Sequence, residues 1–299
     1  MYDELTKELK EIQEECSSLA QKAMGGVRIF ESLFLEHVKV LAGDSCDKQK
    51  RLIVAANAIE ERCGSTVRVA FYRAVVCQLY NDNVVKINEQ KLPREIEVFV
   101  REDFARAAKI AKEGKEKVLD PGNYIFFSYL EILTFQRIPL GNHSAVVAGF
   151  SRSLVFAQPV GGMAKFLRVL FACKGNAPFY ELHYNPHRMR LFSPKGWRDV
   201  LANSAQMLAA QPNIKGVFGA TWLFDPALGD VSPELSYLRE QIVLVGGEIF
   251  FGGRHRRDRR NAFAMSKVRK VAYDEGRYDP ASYMAIIPRL ALLNHFECE

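Results

Sequence analysis

Glu181-Leu-His183 and, four residues on, His187 are the residues whose types and spacing best suit proton chemistry. They fall in Phe179–Tyr184, a short apolar and aromatic run closed by Asn185-Pro186, which reads as a strand followed by a turn. On a strand, residues two apart share a face, so a carboxylate and an imidazole would look into one pocket. An imidazole whose tautomer is set by a carboxylate is a general base near neutral pH. With His187 the set has the composition of a metal triad, two imidazoles and one carboxylate, and His143 is a further candidate ligand. The spacing matches no established metal motif, and the structural alternative is a strand-end histidine bonded to a neighbour.

A second chemistry-bearing stretch is Gly252-Gly253-Arg254 and the run to Arg260, which holds five arginines in seven residues. Glycines let the backbone approach a ligand, a helix start presents free N–H groups, and arginines grip phosphate in bidentate fashion. Gly252, Gly253, Arg254, Arg256, Arg257 and Arg260 are therefore the candidate phosphate or cofactor residues. The loop would equally suit an acidic protein partner such as an acyl-carrier protein, or be a solvated charge run. Nucleic acid is disfavoured, because the run has no interleaved aromatics.

The third stretch is Gly216–Phe224, apolar and aromatic and closed by Asp225-Pro226. It reads as a buried strand whose end would lie where ligands gather in α/β sheets. Asp225 could orient a base, or cap the turn with Pro226. Trp222, Tyr237 and Arg239 are candidate substrate contacts; the last two are two apart on the expected helix, so they do not share a face. Gly-x-Ser-x-Gly, Gly-x-x-x-x-Gly-Lys-[Ser/Thr], Gly-x-Gly-x-x-Gly and His-Glu-x-x-His are all absent. That argues against elbow-type serine hydrolases, P-loop NTPases and zincins.

Composition sets the frame for these sites. The chain has 299 residues, 48% hydrophobic and 25% charged, with a formal charge of +6. That matches a globular protein of two domains or one large one. No run approaches the ~18 apolar residues of a membrane span. The charged, helix-patterned start lacks a signal-peptide core, which predicts a cytoplasmic protein. Six cysteines without a Cys-x-x-Cys pair predict reduced, buried thiols rather than a disulfide frame or zinc ribbon.

The elements that must position the candidates fall into two textures. Residues 2–25, Val27–Leu41, Asp47–Arg62 and Val67–Tyr80 read as helices, punctuated by Gly25-Gly26, Gly43 and Gly64 and capped by Asp44-Ser45 and Ser65-Thr66. After a polar joint, Arg94–Asp120 reads as one long helix stopped by Pro121-Gly122, and Asn123–Arg137 as either helix or strand. His37, alone on its helix, reads as structural. From about residue 138 strands alternate with helices: strands Ser144–Phe150, Ser153–Gln158, Phe179–Tyr184, Gly216–Phe224, Glu248–Phe251 and Ser282–Ile287. The helices are Met163–Cys173, Ser193–Ala210, Pro233–Val245 capped by Ser232, and Arg259–Glu275. The expected architecture is a helical bundle over 1–138 followed by a mixed α/β sheet domain over 139–299 that carries the site.

The strand and helix order over 214–288 resembles the second half of the GNAT-like acyltransferases, as do Asn261-Ala-Phe-Ala264 and Tyr273-x-x-Gly276-x-Tyr278. The resemblance covers about a quarter of the chain. It implies that Tyr273 or Tyr278 protonates a leaving thiolate, and that the donor is acyl-CoA or an acyl-carrier protein. The turn Asp225–Pro233 is acidic where that family has a basic, glycine-rich turn after its splayed strand, which implies an atypical donor.

Three functions follow as expectations. The first is transfer of an acyl or related group to an amine-bearing small molecule, with Glu181 or His183 as base. The second is a non-enzymatic module that docks an acidic partner through Arg254–Arg260. The third is a metal-dependent enzyme using Glu181, His183 and His187.

Overall fold

The computed structural model describes residues 2–25, 27–42, 47–264 and 266–297, so Gly26, Gly43, the Asp44-Ser45 cap, Cys46 and Cys298 lie outside the described residues. The chain divides into two compact units, Met1–Pro139 and Leu140–Glu299.

The first unit is helical: α1 (Tyr2–Met24), α2 (Val27–Ala42), α3 (Lys48–Cys63), α4 (Ser65–Asn83), α5 (Arg94–Glu113) and α6 (Tyr124–Leu133), then a three-residue strand β1 (Arg137–Pro139). Helix α4 is its axis. Val67, Ala70, Phe71, Tyr72, Val75, Val76, Leu79 and Tyr80 are all buried, so α4 is covered on every side by its neighbours. A helix apolar all round has to sit inside. Arg68, itself 5% exposed, is held by Glu60 at 2.9 Å and by the Leu119 carbonyl at 3.3 Å.

Local signals moved three boundaries here. Ser65 and Thr66 lie inside α4, and its cap is Gly64, with no side-chain bond. Helix α5 ends at Glu113, because Gly114 adopts φ +62°, well before Pro121. The ambiguous Asn123–Arg137 is mostly helix, started by Asn123, whose side chain accepts the Ile125 N–H.

The second unit contains β2 (His143–Ala148), α7 (Val160–Ala172), β3 (Phe179–Tyr184), α8 (Pro194–Ala210), β4 (Gly216–Thr221), α9 (Leu228–Val231), α10 (Tyr237–Leu244), β5 (Glu248–Gly253), α11 (Arg256–Ala264), α12 (Lys267–Asp274), β6 (Ser282–Pro288) and α13 (Arg289–Glu297). Its strands run in the order β2-β3-β4-β6-β5. The β3/β4 pair is parallel and the others are antiparallel. Phe179 on β3, Phe218 on β4, Ile286 on β6 and Phe250 on β5 line one face, closed by Phe166 and Val169 of α7 and by Cys173 just past its end. Trp197 of α8 lies against the other face, with its indole N–H donated to the Leu238 carbonyl at 3.1 Å.

Four expectations for this unit are corrected. Ser153–Gln158 is a 3₁₀ turn over Arg152–Ala157, not a strand: the Ser151 hydroxyl caps it. The Gln158 side chain then bonds both the N–H and the carbonyl of Phe251, covering part of the open edge of β5. Strand β4 ends at Thr221, whose hydroxyl caps a 3₁₀ turn over Trp222–Phe224. Pro233–Val245 is a 3₁₀ turn followed by α10, and the Ser232 hydroxyl accepts from Arg269 instead of capping a helix. Arg259–Glu275 is two helices, broken before Ser266, whose hydroxyl caps α12.

Candidate functional site

The strand directions bring the candidate residues to one end of the sheet. β3, β4 and β5 run the same way, and β2 and β6 run against them. The carboxyl ends of β3, β4 and β5 therefore meet the starts of β2 and β6, which is where a parallel β-α-β unit places its ligands. His143, Glu181, His183, Trp222, Gly252, Arg254 and Tyr283 all belong to this end.

Its centre is an opening between two strands. The parallel pairing of β3 and β4 covers Tyr180↔Val217 and Glu181↔Phe218. Both strands run on, to Tyr184 and Thr221, without a further pair. The facing backbones of Leu182–Tyr184 and Gly219–Thr221 thus form a wedge. Its width is small at the base: a Cβ on Gly219 would lie 3.6 Å from the Leu182 Cβ.

Glu181 and His183 project from β3 on the same face as Phe179, but beyond the core. The imidazole Nε2 lies 3.6 Å from the Glu181 carboxylate, and each side chain is about one third exposed, at 31% and 33%. They are the pair that strand periodicity predicts. His187 lies past the turn, exposed, with its backbone N–H held by Asn185. No group of three His, Cys, Asp or Glu side chains among the described residues is arranged to hold a metal.

His143 occupies the opposite face. Its ring meets Trp197 at 4.9 Å, Tyr184 at 6.0 Å and Phe192 at 6.4 Å. The Asn142 amide donates to the Leu191 carbonyl at 2.7 Å, which leaves its oxygen to accept from His143 Nδ1–H at 2.6 Å. That fixes the tautomer and makes Nε2 an acceptor with no partner among the described residues. Burial, and to a lesser degree the neighbouring His183, pushes this imidazole down to about 3. It stays neutral at ordinary pH.

Asp225 serves the frame. It is 6% exposed and accepts the N–H groups of Ala227 at 3.0 Å and Ala281 at 2.9 Å, stapling the strand exit to the start of β6. Burial still raises its carboxyl above the usual range, against those two bonds. Trp222 is buried in a cluster with Leu228, Ala262, Ala272 and Tyr278, under the Arg269 guanidinium at 5.0 Å. Tyr278 is 2% exposed, with a hydroxyl that has no hydrogen-bond partner among the described residues. Burial first, then Asp225, pushes its phenol up, so it keeps its proton. Tyr273 stacks beneath Arg259 at 5.5 Å and beside Phe263 at 5.0 Å. Tyr237 is partly buried at the start of α10, and Arg239 is exposed.

The arginine run is divided in its roles. Asp279 holds Arg259 through both carboxylate oxygens, at 2.9 and 3.1 Å, and Arg254 at 3.3 Å. Arg256, Arg257 and Arg260 are exposed and make no ion pair among the described residues. The run is not the expected loop: Gly253, at φ +121°, turns the chain out of β5, only Arg254 and His255 connect, and Arg256–Arg260 form the start of α11.

Sequence reasoning passed over a second basic segment at the same end. Residues 187–198 carry His187, Arg188, Arg190, Lys195 and Arg198; Lys195 pairs with the following Asp199 at 2.9 Å and Arg188 is buried. They join β3 to α8, whose start is fixed by Ser193 accepting the Gly196 N–H at 3.1 Å. Gly196 is obligatory, since a Cβ there would stand 1.7 Å from the Leu191 carbonyl oxygen. The signal was the Asn-Pro turn and Ser-Pro cap around scattered cations, less conspicuous than an unbroken arginine run.

The helical unit has a cavity of about 280 Å³ lined by Glu15, Cys16, Ser65, Arg73 and Glu116 among others. Burial pushes the Cys16 thiol up, and Arg73 is committed to the Ala111 and Lys112 carbonyls. This cavity lacks an activated nucleophile. Comparison of the chain with protein-family models, curated proteins and solved structures finds no match.

Proposed function

We propose that the protein transfers an acyl group from a phosphate-bearing thioester donor to the amine of a small molecule. The observation that carries this reading is the opened β3/β4 pair, with Glu181 and His183 at its rim. An extended donor arm bearing amides can bond to unpaired strand backbone as an added strand would. Its phosphates would meet the cations of residues 187–198, at the positive end of the α8 dipole, and those of Arg254–Arg260. One parallel pair in an otherwise antiparallel sheet supports the likeness to GNAT-like acyltransferases. It also moves the donor's grip from the acidic Asp225–Pro233 turn to the β3–α8 connection.

In this scheme Glu181 and His183 take a proton from the amine as its nitrogen attacks the thioester carbonyl. The carbon–sulfur bond breaks, and the thiolate takes up the proton that the Glu181/His183 pair received from the amine. Tyr278, buried with its hydroxyl out of reach of solvent, has no part in the step. The products are an amide and a free thiol.

Thermal unfolding of the full chain with coenzyme A, and thiol release from acetyl-CoA over a panel of primary amines, test this. A donor that binds the folded protein raises its Tm in proportion to RT ln(1 + [L]/Kd). Glu181→Gln should keep that shift while lowering kcat by about 10²-fold, the scale of general-base loss. Gly219→Val, which fills the base of the wedge against Leu182, should abolish the shift. A protein indifferent to coenzyme A and acetyl-CoA at millimolar concentration would sink the reading.

A further inference from the structure

Helix α7 is apolar on two opposite faces, and only one of them is used. Phe166, Val169 and Cys173 point into the sheet core. At the 3.6-residue period, positions 160, 164, 167 and 171 form a stripe on the other side. Along it Val160 is 85% exposed, Leu167 42% and Phe171 81%, and Phe156 in the preceding turn is 82% exposed. Isolated exposed apolar residues are ordinary, but a stripe of Val160, Ala164, Leu167 and Phe171, with exposed Phe156 four residues before it in the chain, marks a surface that meets something.

We propose that the second unit docks on an anionic lipid surface through this stripe. Two observations favour a bilayer over a protein. The stripe is a crest and not a groove: three side chains more than four-fifths exposed protrude from a helix and its lead-in turn. A bilayer interface takes such side chains into the headgroup–acyl boundary without needing a pocket. The charge is also complementary. Arg168 and Lys174 are exposed beside the stripe and make no ion pair among the described residues. Leu140–Glu299 as a whole carries 20 Lys and Arg against 13 Asp and Glu, whereas Met1–Pro139 carries 21 against 22.

The basic end of the sheet faces the same way along the chain. Gln158, two residues after Phe156 and two before Val160, bonds Phe251, three residues before Arg254. The arginine run, Arg254 and the start of α11, therefore begins beside the leading end of the stripe, and its cations add attraction of about fivefold in affinity for each one brought to an anionic surface. Among the described residues no helix is long and apolar enough to cross a membrane, so the attachment is peripheral.

The test is co-sedimentation of the full chain with phosphatidylcholine vesicles, with and without phosphatidylglycerol, beside its native mass in their absence. The wild type should bind the phosphatidylglycerol vesicles, more weakly at high salt. The double variant Phe156→Ser, Phe171→Ser should lose at least about tenfold in binding. Its melting curve should match the wild type, since neither ring packs in the core. Arg168→Glu with Lys174→Glu should weaken binding to the anionic vesicles alone. Wild-type protein that ignores both vesicles, or a double variant that binds as before, overturns the proposal. So does a wild-type dimer that the double variant dissociates, which would assign the stripe to a second copy of the chain.

Discussion

Helices α4 and α7 have the same kind of sequence and opposite fates. Each is apolar around most of its circumference. α4 is covered by neighbouring helices on every side, whereas α7 is covered on one side and bare on the other. Buried His37 and half-buried His143 repeat the contrast. His37, 2% exposed, bonds the Leu33 carbonyl at 2.7 Å and the Tyr72 hydroxyl at 3.2 Å, so both ring nitrogens are used. His143 uses one and leaves the other open. Helix α4 and His37 of the helical unit are met by their neighbours. Among the described residues the sheet unit leaves the α7 crest, the His143 Nε2 and the backbone of the β3/β4 wedge unmet, and both proposals start from that unit.

The largest effect should come from the covered helix. Phe71 is fully buried and meets Phe30 at 5.6 Å and Tyr72 at 5.3 Å. Phe71→Ala should cost about 3–5 kcal/mol, as aromatic truncations in cores do, measured by urea unfolding. Phe166→Ala, on the inner face of α7, should fall in the same range. A cost near zero at either position would break the comparison.

The histidines give a middle effect, in pH. Burial lowers His143 from an ordinary 6.5 to about 3, and His37 shifts in the same direction. Below about pH 6.5 the unfolded chain takes up protons that the folded chain refuses. Stability should then fall as pH drops from 6.5 toward 3. For His143 the slope should stay below the roughly 1.4 kcal/mol per pH unit of a fully sequestered group, because its ring is partly exposed. His143→Phe should flatten the dependence seen in calorimetric scans between pH 5 and 7. An unchanged slope would mean that the ring is protonated in the folded state.

The smallest effect belongs to the bare face. Phe171→Ser should change folding stability by no more than about 0.5 kcal/mol. A loss comparable to that of Phe166→Ala would show that the outer stripe is covered after all.

How much of this could be read from the chain depended on where the determining contacts lie. β3 and α8 have the bounds that the Asn-Pro and Ser-Pro pairs announce, because those signals act within a turn of the backbone. The Glu181/His183 pair followed from strand period alone. The break between α11 and α12 has no glycine or proline to mark it, and depends on Ser266 capping a new helix. The 3₁₀ turn over Arg152–Ala157 has strand-like composition, and its end is held by Gln158 bonding a strand 93 residues away. The wedge between β3 and β4 was illegible for the same reason. It is a property of where pairing stops between segments far apart in sequence, and no residue type records it. His143 was noticed as a donor atom, but its partner Asn142 matters only once Leu191 is folded beside it.

Backbone hydrogen exchange, read residue by residue with and without coenzyme A, tests the central claim most directly. Without ligand, the amides of Leu182–Tyr184 and Gly219–Thr221 that face the wedge should exchange faster than those of Tyr180–Glu181 and Val217–Phe218, where the strands are paired. Coenzyme A should slow exchange in the wedge and leave α4 unchanged. Protection that appears elsewhere, or nowhere, would contradict the assignment of the opened strands as the donor site.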